Sequence, residues 1–426
     1  MLENKGFDET FGRNSPAPYL AWTLPQMGAL IPNYYGVTHQ SNANYVAMVS
    51  GQGANPANQA DCLDYFNLVP GTIGADGQAM GTGCVFPRPV KTVADQLSAA
   101  GDTWKGYMED MGNAKGQPKD CRHPPINSPD NTQKARVGDQ YAARHNPFVY
   151  FHSLLDSGAC ARDDVPLSQL QHDLRSAAST PNYAFITPNL CDDGHDAPCV
   201  DGRAGGLRSV GTFLRRWVPL ILRAPAYRHG GLLLITFDES DGSDASACCN
   251  EPQFPNTPNN GGEYRGRGGG RVGAVALSPY IDPGTIDETA YNHFSLLRSV
   301  ENIFGLPHLG FAAQSGLVAF GPDLFTCYTP HTPRAHRGRL PLHSEIKLAV
   351  IGEGTAGRRV LDLKLWHLGR VTVRVLLRGH HSASTIVRGR SLAPCQLLLQ
   401  RLPRGHGTVT VSARAFGGVE RRTLSY

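Results

Sequence analysis

Charge is scarce in this chain. Only 18% of its 426 residues are Asp, Glu, Lys or Arg, and the formal net charge is +4. No Lys/Arg run is interleaved with stacking aromatics, as a nucleic-acid groove requires, so nucleic acid is not an expected partner. Long apolar runs are missing too. A membrane span needs roughly 20 apolar residues, and GGLLLITF at 230–237 has only the length of a buried strand, so no transmembrane segment is expected. The sequence opens MLENKGFDETFG and shows no signal peptide that would settle the compartment.

Cysteine is thin as well. Ten cysteines cannot dictate the fold of so long a chain, and the CxxC spacing of a zinc site does not occur. Cys191 and Cys199 in CDDGHDAPC, and the adjacent Cys248 and Cys249, sit in Gly/Asp-rich loops. In an oxidising compartment disulfides pin such loops, so structural disulfides are expected ahead of free thiols or a zinc knot.

What is present describes a loop-rich globular protein with 48 Gly, 31 Pro and 40% hydrophobic residues, long enough for two domains. Up to residue 327 short apolar runs alternate with helical stretches. NPFVYF (146–151), NYAFITP (182–188), GLLLITFDE (231–239) and VGAVALSP (272–279) read as strands. TVADQLSAAG (92–101), LSQLQHDLRSA (167–177), VGTFLRRWVPLILRAP (210–225) and HFSLLRSVENIFGL (293–306) read as helices. The alternation predicts an α/β fold with a mostly parallel sheet covered on both faces by helices. A Pro/Arg-rich linker at 328–341 precedes period-2 runs such as LDLKLW and GTVTVSARA, which predict a small all-β, sandwich-like module over 342–426. His380 and His381 read as a turn of that module.

Ligands of open α/β sheets bind beyond the carboxyl ends of the strands. Several polar clusters are expected there. In THQSNANY, Ser41 is followed three residues on by Asn44, a hydroxyl and an amide on one helical face; a nucleophile with an amide donor is one reading and a helix-capping serine the plain alternative. Asp238 and Glu239 end the most apolar strand, where adjacent carboxylates repel unless a cation joins them. TPNLCDDGHD offers Asn189, Asp192, Asp193, His195 and Asp196, and His293 opens a helix. The opening loop adds Glu3 and Asn4.

Taken in order, ENKGFDETFG, SNANY, TPNLCDDGHD, ITFDES and YNHFSLLRSVENIFGL resemble the phosphoesterase family of bacterial acid phosphatases and non-specific phospholipases C, in the alkaline phosphatase superfamily. The resemblance covers residues 1–327 and implies an alkaline-phosphatase-like sheet. It implies Glu3, Asn4, Asp238 and Glu239 as ligands of a divalent metal (Ca, Mg, Mn or Zn) and Ser41 as the nucleophile that becomes a phosphoserine. Asn44 follows as the phosphate-binding amide, and His195, accompanied by Asp196, and His293 as histidines that contact phosphate or a second metal, either one supplying the leaving group's proton. His39, His123 and His145 have no counterpart in it and read as background.

The implied activity is metal-dependent hydrolysis of phosphoric esters, a phosphomonoesterase first and a phospholipase C-type diesterase as alternative. Its partner would be a small phosphate ester or a phospholipid head group. An inactive secreted binding protein is the reading from another class. The resemblance further implies an extracytoplasmic or secreted location and a full strand before Glu3 where this sequence has only Met1 and Leu2; the β-module lies outside it, and on the binding-protein reading would adhere to a surface or glycan.

Overall fold

A computed structural model describes residues 1–264, 266–321, 323–325 and six strands between 345 and 425. The chain divides into two compact units, Met1–Arg298 with His308–Ala319, and Ser299–Pro307 with Phe320–Tyr426.

In the first unit, β1 (Ala29–Ile31) and β2 (Tyr34–Tyr35) lead into helix α1 (Ser41–Ser50). Helix α2 (Val93–Ala100) follows, then β3 (Trp104–Met108), β4 (Asp164–Pro166), β5 (Tyr183–Thr187) and the long helix α3 (Gly206–Arg223). Next come β6 (Leu233–Thr236), β7 (Ala274–Leu277), β8 (Thr285–Ile286), β9 (Tyr291–Asn292) and helix α4 (His293–Phe304). The strands build one sheet of order β4-β3-β5 and another of order β6-β7-β1-β8, while β2 pairs with β9. Pairing among these strands is parallel except along β7, which runs antiparallel to β6 and β1. The fold is therefore mixed α/β, with β7 interrupting the expected parallel order.

Met1 and Leu2 stitch the two sheets together. The Met1 ammonium donates to the Ile186 carbonyl beside β5 at 2.7 Å, Leu2 N–H donates to Thr236 O of β6, and Asp238 N–H returns a bond to Leu2 O. A parallel bridge between Leu2 and Phe237 completes the stitch. Whatever follows Leu2 is thus delivered to the carboxyl ends of β5 and β6.

Local chemistry accounts for the helices. Thr92 and Asp95 form a reciprocal capping box at the start of α2. Gly51 ends α1 in the left-handed region at φ 69°, a conformation glycine adopts without a Cβ penalty. Every residue of α1 is buried, and Phe254, Phe294 and Phe311 pack with its Ala43 and Ala47. The expected strand at 146–151 is instead a 3-10 turn over Pro147–Tyr150. Pro147 removes a ladder donor, and the Asn146 side chain accepts the Phe148 N–H, so the segment turns rather than extends. The expected helix at 167–177 is shorter, a 3-10 turn Leu167–Gln169 running into the α-helical turn Leu170–Asp173. Trp104–Met108, which carries no strand signal in its alternation, becomes the centre of a sheet.

The second unit contains two three-stranded antiparallel sheets, built from Glu345–Gly354, Arg358–Trp366 and Leu397–Arg401, and from Thr372–Gly379, Gly407–Ala415 and Gly418–Ser425. This matches the period-2 pattern. The linker 328–341 and the His380–His381 turn lie outside the described residues.

Four disulfides are present among the described residues: Cys62–Cys84, Cys121–Cys160, Cys191–Cys199 and Cys248–Cys249. Cys191–Cys199 pins the loop as expected, whereas Cys248 and Cys249 bond to each other.

Asp164 is a fully buried carboxyl group of the core. Burial pushes Asp164 up to about 8, although Asn146 Nδ2 donates to its Oδ2 at 2.7 Å. An acid whose folded-state pKa is raised adds stability below its unfolded pKa and loses it as pH rises through the folded value. Asp164→Asn should therefore remove a loss of stability between about pH 4 and pH 8 whose slope approaches about 1.4 kcal/mol per pH unit. Denaturant melts of both proteins across that range measure it, and parallel curves would rule out the assignment.

Candidate active site at the strand ends

Glu3 and Asn4 leave the Leu2 stitch, Asp238 and Glu239 leave β6, and Asp193, His195 and Asp196 follow β5. Ser41 opens α1 after β2, and His293 opens α4 after β9. The sequence-derived site residues thus come from the carboxyl sides of different strands, where the sheet twist leaves room for a site.

Glu3 is fully buried at the centre. Its Oε2 accepts the Ser41 hydroxyl at 2.8 Å, and its backbone N–H donates to Asp193 O at 2.9 Å. Asn4 takes a left-handed φ of 55°, which asparagine tolerates, and its N–H donates to Asp238 Oδ1 at 3.1 Å. Gly194 (φ 105°) lies where a Cβ would press within 3.2 Å of Glu3 O, so glycine lets the 193–196 loop close on Glu3.

Two residues that the sequence left as background enter the site. His145, in the turn Ala143–His145, places Nδ1 3.1 Å from Asp193 Oδ2 and Nε2 3.4 Å from Glu3 Oε2. Glu3, His145 and Asp193 bring ligand atoms within 4.8 Å of one another. The Tyr45 ring stacks on His145 at 5.3 Å. His39 pairs through Nδ1 with Glu239, and its Nε2 meets Asp244 O at 3.0 Å. His123 stays away, stacked on Tyr65. The signal that could have found His145 is tertiary: nothing near HNPF in sequence is acidic.

The electrostatics are one-sided. Burial, then the Asp238 and Asp193 charges, push Glu3 well above the usual carboxylate range. Burial likewise raises Asp193 and Glu239, and holds Asp238 at about 6. Glu3 Oε1, Asn4 Oδ1 and Asp238 Oδ2 are buried and accept no hydrogen bond from the protein. Among these groups, Glu3, His145 and Asp193 lie close enough to hold one divalent cation, and a histidine whose other nitrogen meets a carboxylate suits that chemistry.

His293 and Asn44 have other tasks than those implied by the resemblance. The His293 ring is buried, with Nε2 on the Asp238 carbonyl and Nδ1 3.2 Å from the Tyr34 hydroxyl. A carbonyl only accepts, so Nε2 carries the proton and Nδ1 is the acceptor. Burial lowers its pKa to about 4, leaving a neutral ring that holds the Asp238 backbone in place. Asn44 spends its whole carboxamide on the preceding loop: Oδ1 accepts Val37 N–H and Thr38 N–H, and Nδ2 donates to Thr38 O and Gln40 O.

His195 stands at the mouth, its side chain 31% exposed, with Nδ1 2.8 Å from Asp196 Oδ1 and Nε2 3.1 Å from Arg144 Nη2. Guanidinium is a donor only, so Nε2 accepts and the proton sits on Nδ1, towards Asp196.

The profile of the Phosphoesterase family matches residues 12–307. The chain is 28% identical over 290 residues to the phosphate-repressible acid phosphatase of Penicillium chrysogenum, covering 67% of this chain and 54% of that protein. It is 24% identical over 302 residues to the phosphatidylinositol-3-phosphatase of Mycobacterium tuberculosis, covering 71% and 74%. Against the structure of the phosphonate monoester hydrolase SpPMH from Silicibacter pomeroyi the TM-score is 0.38 at 12% identity, covering 87% of this chain and 86% of that one. The chain spans about half the length of the fungal relative.

Asn44→Ala should destabilise the protein by about 2–4 kcal/mol, since several buried hydrogen bonds are lost together and their backbone partners are left unpaired. Its chief local sign should be faster amide exchange at Val37 and Thr38. Wild-type stability and exchange in the variant would show that Asn44 does not hold that loop.

Proposed function

Because the chain belongs to the phosphoesterase family, we propose that it hydrolyses phosphoric esters, phosphomonoesters first, through attack by the Ser41 hydroxyl. The observation that carries this reading is the 2.8 Å hydrogen bond from Ser41 Oγ to Glu3 Oε2 at the first residue of a ten-residue helix. The hydroxyl has an acceptor for its proton, and the helix N-terminus places peptide dipoles where the phosphoryl negative charge would sit. The names of the fungal and mycobacterial relatives, a phosphate-repressible acid phosphatase and a phosphatidylinositol-3-phosphatase, support a monoester substrate.

The reaction follows from those positions. Ser41 Oγ attacks phosphorus while Glu3 takes its proton, and the bond to the leaving group breaks in line, the departing alkoxide taking up a proton from solvent. Water then releases phosphate from the phosphoserine. Glu3, His145, Asp193 and Asp238, with Asn4 and Glu239 in the same cluster, would hold a divalent cation. Such an ion supplies charge neutralisation for the phosphoryl oxygens and lowers the pKa of the serine hydroxyl. Carboxylates mixed with imidazole suit Mn²⁺ or Zn²⁺ better than Ca²⁺. His293 and Tyr34 hold the Asp238 turn, and His195 with Asp196 lines the mouth.

An alkaline-phosphatase-like arrangement and an extracytoplasmic site of action belong to the same reading. The site at the strand ends fits the first, and four disulfides among the described residues fit the second.

Ser41→Ala should abolish turnover of a chromogenic phosphomonoester while the fold survives, because the hydroxyl makes a hydrogen bond to Glu3 worth only about 1 kcal/mol but supplies the attacking oxygen. Near wild-type turnover would remove Ser41 from the mechanism. Chelator should suppress hydrolysis and lower the thermal midpoint together, since an ion bound only by the folded state stabilises it by mass action. Both responses should return with added Mn²⁺ or Zn²⁺ and vanish in Asp238→Asn. Undiminished hydrolysis by metal-stripped protein would show that the carboxylates are not ligands.

A further inference from the structure

Beside the carboxylate cluster lies a buried guanidinium, Arg144, whose charge is only loosely matched. Arg144 has a side chain 3% exposed, and its nearest carboxylate, Asp61 Oδ2, lies 3.7 Å from Nε, beyond hydrogen-bond range. Nε itself is buried and makes no hydrogen bond. The other Asp61 oxygen is committed to the Asn42 N–H at 3.0 Å. Arg144 Nη1 donates to Gln133 O at 3.1 Å, and Nη2 donates to His195 Nε2, a neutral acceptor. A guanidinium cannot lose its proton to relieve this imbalance. Burying it with neutral acceptors on Gln133 and His195 and its ion-pair carboxylate 3.7 Å away is costly unless an anion completes its shell.

The surroundings say where that anion would lie. Asn42 Nδ2 donates to the Arg144 carbonyl at 3.2 Å, so the residue following Ser41 is fastened to the arginine. Arg144 also acts electrostatically on Asp193 and on His145, two members of the carboxylate cluster. His195, the arginine's neighbour, is the part of this group open to solvent. Through Asn42 the arginine is tied to α1, which Ser41 opens, and through His195, whose backbone N–H donates to Asp193 Oδ1, it is tied to the carboxylate cluster. Planar, forked N–H donors match the oxygens of a phosphoryl group in geometry as well as charge.

We propose that Arg144 binds the phosphoryl oxygens of the substrate, held for that task by Asp61, Gln133 and the His195–Asp196 pair. This rests on the phosphoesterase reading and adds the group that recognises the dianion. Glu3 serves the nucleophile, and Arg144 serves the phosphate. His195 acts through the arginine as a positioning residue, because its Nε2 is turned to Arg144 as an acceptor.

The test uses inorganic phosphate as probe, with the full chain and its metal present. Arg144→Lys keeps the charge but not the fork, and Arg144→Ala removes both. In calorimetric titration each should weaken phosphate binding by about ten-fold or more, the scale of one lost charge-assisted hydrogen bond. In steady-state assays KM for a phosphomonoester should rise along with any fall in kcat, and millimolar guanidinium chloride should restore part of the Arg144→Ala loss. Should Arg144→Ala fail to fold, Arg144→Lys decides alone. Phosphate affinity and KM like those of the wild type in a folded Arg144→Lys would overturn the proposal and leave Arg144 a scaffold residue. Wild-type protein that binds phosphate through Arg144 yet hydrolyses no phosphate ester would sink the catalytic reading and spare this one.

Discussion

Glu3, Asp193, Asp238 and Glu239 meet in a space shielded from solvent, and their mutual repulsion is the constraint around which the first unit is organised. Each carboxylate would take up a proton if it stood there alone. Around them the protein sets few compensating donors: the Ser41 hydroxyl, the Asn4 amide, the His195 amide and His145. Several carboxylate oxygens stay without partners. Such an arrangement is tolerable as an ion-binding device, because a divalent charge turns the same repulsion into ligation.

The fold's task is to bring these groups together from distant parts of the chain and hold them still. The Met1–Leu2 stitch sets Glu3 between β5 and β6, so the two acidic loops that follow those strands face it. The His293 ring fastens the Asp238 backbone, Asn44 fastens the loop before Ser41, and Gly194 allows the β5 loop to close. None of these three needs to touch substrate. Their value lies in orientation, which matters to the proposed attack by Ser41 because a nucleophile misplaced by an ångström loses much of its advantage.

The histidines show how environment assigns a role. His293 is dry and has both nitrogens engaged, and His145 lies between two carboxylates. His195 is half open, with its tautomer dictated by Arg144 on one side and Asp196 on the other. One residue type thus supplies a strut, a ligand candidate and a positioning group. What differs is the donor or acceptor character of the neighbours, and every one of those neighbours except Asp196 comes from elsewhere in the chain.

Local pattern was enough for the α/β class, the all-β character of the C-terminal strands and the loops that carry Glu3, Ser41, Asp193, Asp238 and His293. Period, turn residues and the order of short motifs are properties of neighbouring residues, and they are written in the sequence directly. It could not show that β7 would run antiparallel, that Pro147 would turn the segment 146–151, or that Trp104–Met108 would sit at a sheet centre, because pairing partners are settled by contacts between remote strands. The same holds within the site. Nothing beside His145 or Arg144 in the chain distinguishes them from background. Their meaning arises when burial removes solvent screening and sets one against Glu3 and Asp193 and the other beside Asn42 and His195. Charge and tautomer answer to the neighbours in space, and only the tertiary structure supplies those.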